Sequence, residues 1–119
     1  MLSFHEVWGY FSIGFNALAG VAMLVAWKVA AVRKPAWALV IAAQVSMMVQ
    51  VLVGVLLVTV DEIQPPRIHM FYGFLAFITV GLLYSYKYVW KARGWLELAY
   101  GLGGLFLMGL GIRAVLQVA

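Results

Sequence analysis

The stretch that decides the fold is residues 45–86, VSMMVQVLVGVLLVTVDEIQPPRIHMFYGFLAFITVGLLYSY. Two long apolar runs flank the polar segment DEIQPPR (61–67). Neither run alternates as a half-buried strand does, and apolar runs of about 18 or more residues read as membrane-spanning helices. Pro65 and Pro66 suit the start of a helix, and a hinge this short leaves the two runs antiparallel.

The same pattern extends in both directions. Four spans are expected, at 4–27, 36–60, 67–90 and 95–117. Each holds roughly 22–25 residues, enough to cross a hydrocarbon core ~30 Å thick. KVAAVRKP separates the first two spans, with Pro35 in the first turn of the second, and KARGW separates the last two. Ser3 and Glu6 have capping-box spacing, which predicts a first helix starting at Phe4. The start MLSFHEVWGYF lacks the basic n-region of a cleaved signal peptide, so the first run is expected to persist as a span. The fold class is therefore an all-α membrane protein, an antiparallel four-helix transmembrane bundle forming one domain over 1–119.

Composition agrees. The 119 residues are 66% hydrophobic and 10% charged, with a mean hydropathy of +1.03. A soluble domain of this length cannot bury so much apolar surface. The sequence has no cysteine, which excludes disulfides, thiolate chemistry, cysteine-held clusters and covalent c-type haem. Lys28, Arg33, Lys34, Lys87, Lys91 and Arg93 lie around the first and third loops, while Arg67 and Arg113 lie at the other end with Asp61 and Glu62. By the positive-inside rule the six-residue basic end faces the cytoplasm, and both termini lie outside it. Trp27, Trp37, Trp90 and Trp95 are expected to anchor the inner interface. The net charge of +4 is thus topological and implies no nucleic-acid partner.

HEVWGYF begins at His5 and HMFYGFL at His69, and these are the chain's two histidines. A shift of 64 residues lays His5, Trp8, Gly9 and Tyr10 on His69, Tyr72, Gly73 and Phe74. The sequence reads as two tandem helical hairpins, 1–60 and 61–119, related by a pseudo-twofold axis along the membrane normal. The histidines open the first and third helices at one depth, near the outer end. In an up-down-up-down bundle these helices stand on a diagonal of roughly 11–14 Å, which two imidazoles reaching inward can close on one iron. Gly9 and Gly73 lie one turn deeper on the same faces, where a missing side chain leaves room for a flat macrocycle. Arg67 and Arg113 are placed to pair with propionates. These are the parts of a bis-His b-type haem site, and a quinone is the alternative redox ligand. The bland reading is an aromatic belt with histidines at the headgroups.

Deeper in, Ser12, Asn16 and Gly20 share one face of the first helix, and Ala43, Ser46, Gln50 and Gly54 share one face of the second. Asn16 and Thr79 lie about 18 Å from the outer end and Gln50 about 15 Å. With no Asp, Glu or Lys at that depth, interhelical hydrogen bonding is the expected role. Gln44 has no partner at its depth. Gly101, Gly103, Gly104, Gly109 and Gly111 suit tight packing, including against another subunit, and Glu97 is expected to pair near Arg93 and Lys91. In length and span number the chain is similar to small multidrug resistance transporters, but their first span relies on an embedded acidic residue where this one has Asn16. No nucleophile, base and orienter converge, so no stand-alone enzyme is expected. The expectation is an accessory or structural subunit of a larger membrane complex, or a homo-oligomer, in the lipid bilayer. The alternative is a haem b or quinone electron-transfer protein using His5 and His69.

Overall fold

The computed structural model describes residues 1–118. In chain order the elements are α1 (Leu2–Lys28), a 3-10 turn (Ala30–Val32), α2 (Arg33–Thr59), α3 (Arg67–Ser85), α4 (Lys87–Arg93) and α5 (Leu96–Leu116). The four long helices α1, α2, α3 and α5 are each apolar and long enough to cross a membrane. The chain is an all-α helical bundle, and its 46 Å long axis matches a bilayer with its headgroups, ~40–45 Å.

Local chemistry sets the ends of these helices. Pro35 sits in the first turn of α2, and Pro66, extended at ψ 144°, precedes α3. Gly94 closes α4 in the left-handed region at φ 74°, with Trp95 N–H donating to Trp90 O at 2.8 Å. This is a Schellman-type cap, which a residue with a Cβ adopts only with strain. Trp27 Nε1–H donates to the Gly94 carbonyl at 3.1 Å and ties the first loop to the third. Beyond the end of α2, Glu62 takes φ 57°, and Ile63 N–H bonds back to Leu57 O at 3.0 Å.

Three expectations are corrected. No capping box forms: α1 begins at Leu2 with Met1 as N-cap, no side chain caps it, and His5 N–H already bonds to Met1 O. The third span is not one helix to residue 90. It breaks at Tyr86 (φ −101°, ψ 9°), and α4 continues beyond the break and places Trp90 edge-on to Tyr100 at 6.4 Å. Glu97 pairs with Arg33 of α2 at 3.1 Å, because α5 and α2 both begin at the basic end.

Around the bundle, α1 lies between α2 and α5 and packs closely on both; α3 packs on α5 and only lightly on α2. So α1 and α3 stand at opposite corners, as the short loops imply. Glycine sets the closest approach, that of α1 to α5. A Cβ on Gly104 would lie 3.0 Å from Gly20 Cα and 3.1 Å from Asn16 O. Gly101 and Gly111 receive Leu24 and Ile13 of α1, and Gly103 receives Leu83 of α3. Four of the five α5 glycines are thus used inside the bundle, whereas Gly109 faces open space. The core runs through Met23, Leu107 and Tyr100, all fully buried. At the basic end Trp37 stacks obliquely on Tyr100 at 4.9 Å, and Tyr100 OH donates to Leu83 O.

Candidate functional site

The α1–α2 seam is polar along its upper half, and its contacts lead from mid-bundle to the histidine end. Asn16 Nδ2 donates to Ser12 O at 2.8 Å and to Ala43 O at 3.4 Å. One turn further out, Ser46 Oγ meets Ser12 Oγ at 3.1 Å, and Trp8 Nε1–H donates to Ser46 O at 2.8 Å. Next, Gln50 Nε2–H donates to the backbone carbonyl of His5 at 2.6 Å, and its amide fills the space beside Gly9. Last, the His5 imidazole rests on Gly54, where a Cβ would come within 3.2 Å of His5 Cε1. As the contacts run outward from Asn16 to His5 on α1, they run from Ala43 to Gly54 on α2, as antiparallel helices require. The mid-membrane polar residues therefore bond across the seam. Thr79 does not take part; its hydroxyl bonds back to Leu75 O within α3. Gln44 is buried, and its Oε1 has no hydrogen-bond partner.

At the end of this seam the two histidines meet. Although α1 and α3 stand at opposite corners, the imidazole centroids of His5 and His69 are 6.1 Å apart, with an interplanar angle of 73°. Both side chains are partly buried. His69 Nδ1–H donates to the Ala114 carbonyl of α5 at 2.7 Å, which leaves the Nε2 lone pair free in the neutral ring. His5 Nδ1 is buried without a hydrogen-bond partner.

The centroid separation is close to that of two imidazoles sharing one metal ion. With metal–imidazole bonds of ~2.0–2.1 Å and a ring nitrogen about 1.1 Å from its centroid, two rings on opposite sides of one ion have centroids about 6.2–6.4 Å apart. Among the described residues, no group of three or more His, Cys, Asp or Glu side chains could hold an ion. A bare zinc ion takes three or four protein ligands. A haem iron takes two axial ligands, its other four coming from the macrocycle, so two histidines suffice for it.

The other residues expected at the site divide. Gly73 faces open space on α3, with nothing within 4 Å of a Cβ built there. The space at Gly9 is not available to a ligand, because the Gln50 amide occupies it. Arg67 and Arg113 are both exposed at the histidine end, and neither is ion-paired among the described residues. Arg67 lines a cleft of about 670 Å³ with Val58, Glu62, Ile63, Gln64, Pro65 and Met70, and neither histidine contributes to its wall. Three partners were not legible beforehand: Gly54, Ala114 and the Gln50 bond to His5. Gly54 lies on the α2 face shared with Ala43, Ser46 and Gln50, and its antiparallel register with His5 is the signal the sequence carries. Ala114 acts through its backbone carbonyl and gives no sequence signal.

No protein-family profile, curated protein or solved structure matches the chain.

Proposed function

We propose that this chain is a small integral membrane haem b protein that carries electrons at the end of the bundle where His5 and His69 meet. The observation that carries the reading is the approach of these two imidazoles across the bundle diagonal, at a spacing that fits one iron. Haem b, when bound, would supply one-electron redox chemistry. The chain's own residues do the rest. His69 offers Nε2 from a ring oriented by Ala114, and His5 offers the opposing imidazole from a niche at Gly54. Gly73 leaves room on α3, and the exposed guanidinium groups of Arg67 and Arg113 are charge-complementary to propionates. By the charge bias of the loops, this end and both termini face away from the cytoplasm.

A quinone fits the same pair less well. A quinone has two carbonyls that need hydrogen-bond donors; the Nδ1–H of His69 is already given to Ala114 O, so only His5 keeps an N–H to offer, whereas an iron needs only lone pairs. The test is the absorption spectrum of protein purified after expression with ample haem. A Soret band with sharp α and β bands on reduction is expected; a colourless protein refutes the proposal.

A second reading, an accessory subunit of a larger membrane complex, is favoured by α3. Only Ala76, Val80 and Leu83 of that helix are buried, and Phe71, Phe74, Phe77 and Leu82 are exposed. Lipid covers such a surface, and so do the helices of a partner. Gentle extraction followed by native mass analysis separates the two: co-purifying subunits support this reading, and a bare monomer counts against it.

A further inference from the structure

The two histidines share a depth and a sequence phrase, but their surroundings differ. We infer that they are unequal ligands: His69 is the anchoring one, and His5 is displaceable by a small exogenous iron ligand such as carbon monoxide, cyanide or free imidazole. This rests on the haem reading above and specifies the chemistry of that same site.

Three observations carry it. The first is the hydrogen bond from His69 Nδ1–H to Ala114 O at 2.7 Å. Such a bond fixes the tautomer and the ring plane, and losing a partner of this kind typically costs ~10–100-fold in metal affinity. The second is that His5 Nδ1 is buried with no acceptor. No hydrogen bond among the described residues fixes its tautomer. The third is that His5 is held mainly through its backbone and by shape. Gln50 grips its carbonyl at 2.6 Å, and its ring lies against the bare Cα of Gly54. A ring seated by shape can swing away without breaking a side-chain hydrogen bond. The ring of His69 cannot leave its position without giving up the bond to Ala114.

Gly54 is then a positioning residue. Alanine there would set a methyl group 3.2 Å from His5 Cε1, tighter than ordinary contact, and would push the ring away. No hydrogen bond at His69 is touched by that change.

The experiment uses the full chain, expressed with ample haem and purified in a mild detergent, as wild type, His5→Ala, His69→Ala and Gly54→Ala. Each is scanned oxidised, after reduction with dithionite, and after reduction under carbon monoxide. Folding is checked by circular dichroism. Reduced wild type is expected to shift to a carbon monoxide spectrum at saturating gas. His5→Ala is expected to keep haem and bind carbon monoxide more readily, since no histidine has to be displaced. His69→Ala is expected to hold haem ~10–100-fold more weakly than His5→Ala does. Gly54→Ala is expected to keep haem and move toward His5→Ala in its response to the gas. Should His69→Ala fail to fold, the Gly54→Ala and wild-type spectra still decide. The inference is overturned if carbon monoxide leaves both unchanged, or if His5→Ala loses haem while His69→Ala retains it. Wild type without a Soret band overturns the haem reading itself, a result distinct from a haem protein with two equivalent ligands.

Discussion

Replacing Gly104 with alanine tests the packing that sets this bundle. The new methyl carbon would lie 3.0 Å from Gly20 Cα, 3.1 Å from Gly20 N and 3.1 Å from Asn16 O, where ordinary contact starts at 3.4 Å. All three neighbours are backbone atoms, so no side chain can swing aside. The helices must part instead. A separation of roughly 0.5 Å forfeits about a quarter of the dispersion energy of each contact along the seam. Overpacking of this kind typically costs ~1–3 kcal/mol. Alanine also gains ~0.8–1.0 kcal/mol in helix propensity over glycine, which masks part of that cost. Gly109→Ala supplies the control on the same helix. It gains the same propensity and meets nothing within 4 Å. The expected result is that Gly104→Ala is less stable than Gly109→Ala by ~1–3 kcal/mol, with Gly109→Ala at or slightly above wild type. The assay is reversible unfolding in mixed micelles with increasing sodium dodecyl sulfate, followed by far-ultraviolet circular dichroism. Equal stability of the two variants would refute a glycine-set α1–α5 contact.

Two further substitutions probe separate features with the same unfolding assay. Glu62 occupies the left-handed region at φ 57°. Glu62→Gly is expected to raise stability by ~0.5–1 kcal/mol, the relieved backbone strain exceeding the entropy that glycine adds to the unfolded chain, and a loss of stability would contradict this. Asn16→Leu removes the amide that donates to Ser12 O and Ala43 O, and is expected to cost ~0.6–2 kcal/mol. Thr79→Val, which removes a hydroxyl bonded only within its own helix, should change stability by less than about 0.5 kcal/mol; the reverse order would show that the polar seam is not what joins α1 to α2.

Helix number, order and neighbours were legible because they depend on hydropathy and loop length alone. The four apolar runs, the prolines at 35, 65 and 66, and the short hinges were sufficient for an antiparallel bundle with α1 and α3 on a diagonal. The rotation of each helix about its own axis was less legible. These helices are apolar nearly all round, so no hydrophobic stripe marks the inward face. Only small and polar residues carried that information. They marked the Ser12–Asn16 and Ser46–Gln50 faces correctly but did not show that Gly20 turns to α5. Nor did they show that the α5 glycines close on helices of the same chain. The capping box failed because an i to i+3 pattern is local, and the backbone closed an earlier turn without it. At the site, the histidine pair was legible from the repeated phrase. Gly54 and the Ala114 carbonyl were not, because their roles are an absent Cβ and a main-chain oxygen.

The 64-residue shift that aligns His5 with His69 also aligns Gln50 with Ala114. The structure bonds His5 to Gln50 and His69 to Ala114. Each histidine is thus bonded to the residue 45 positions further along the chain, on the next membrane-spanning helix. The chemistry of the bond is reversed. In the first hairpin the second-helix side chain donates to the histidine's backbone carbonyl. In the second, the histidine's side chain donates to the second helix's backbone carbonyl. A longer residue at 50 reaches across and leaves the His5 ring without a partner. A short residue at 114 bares a carbonyl that the His69 ring can reach. The two histidines are therefore seated differently, the His69 ring by a hydrogen bond to Ala114 O and the His5 ring by its contact with Gly54.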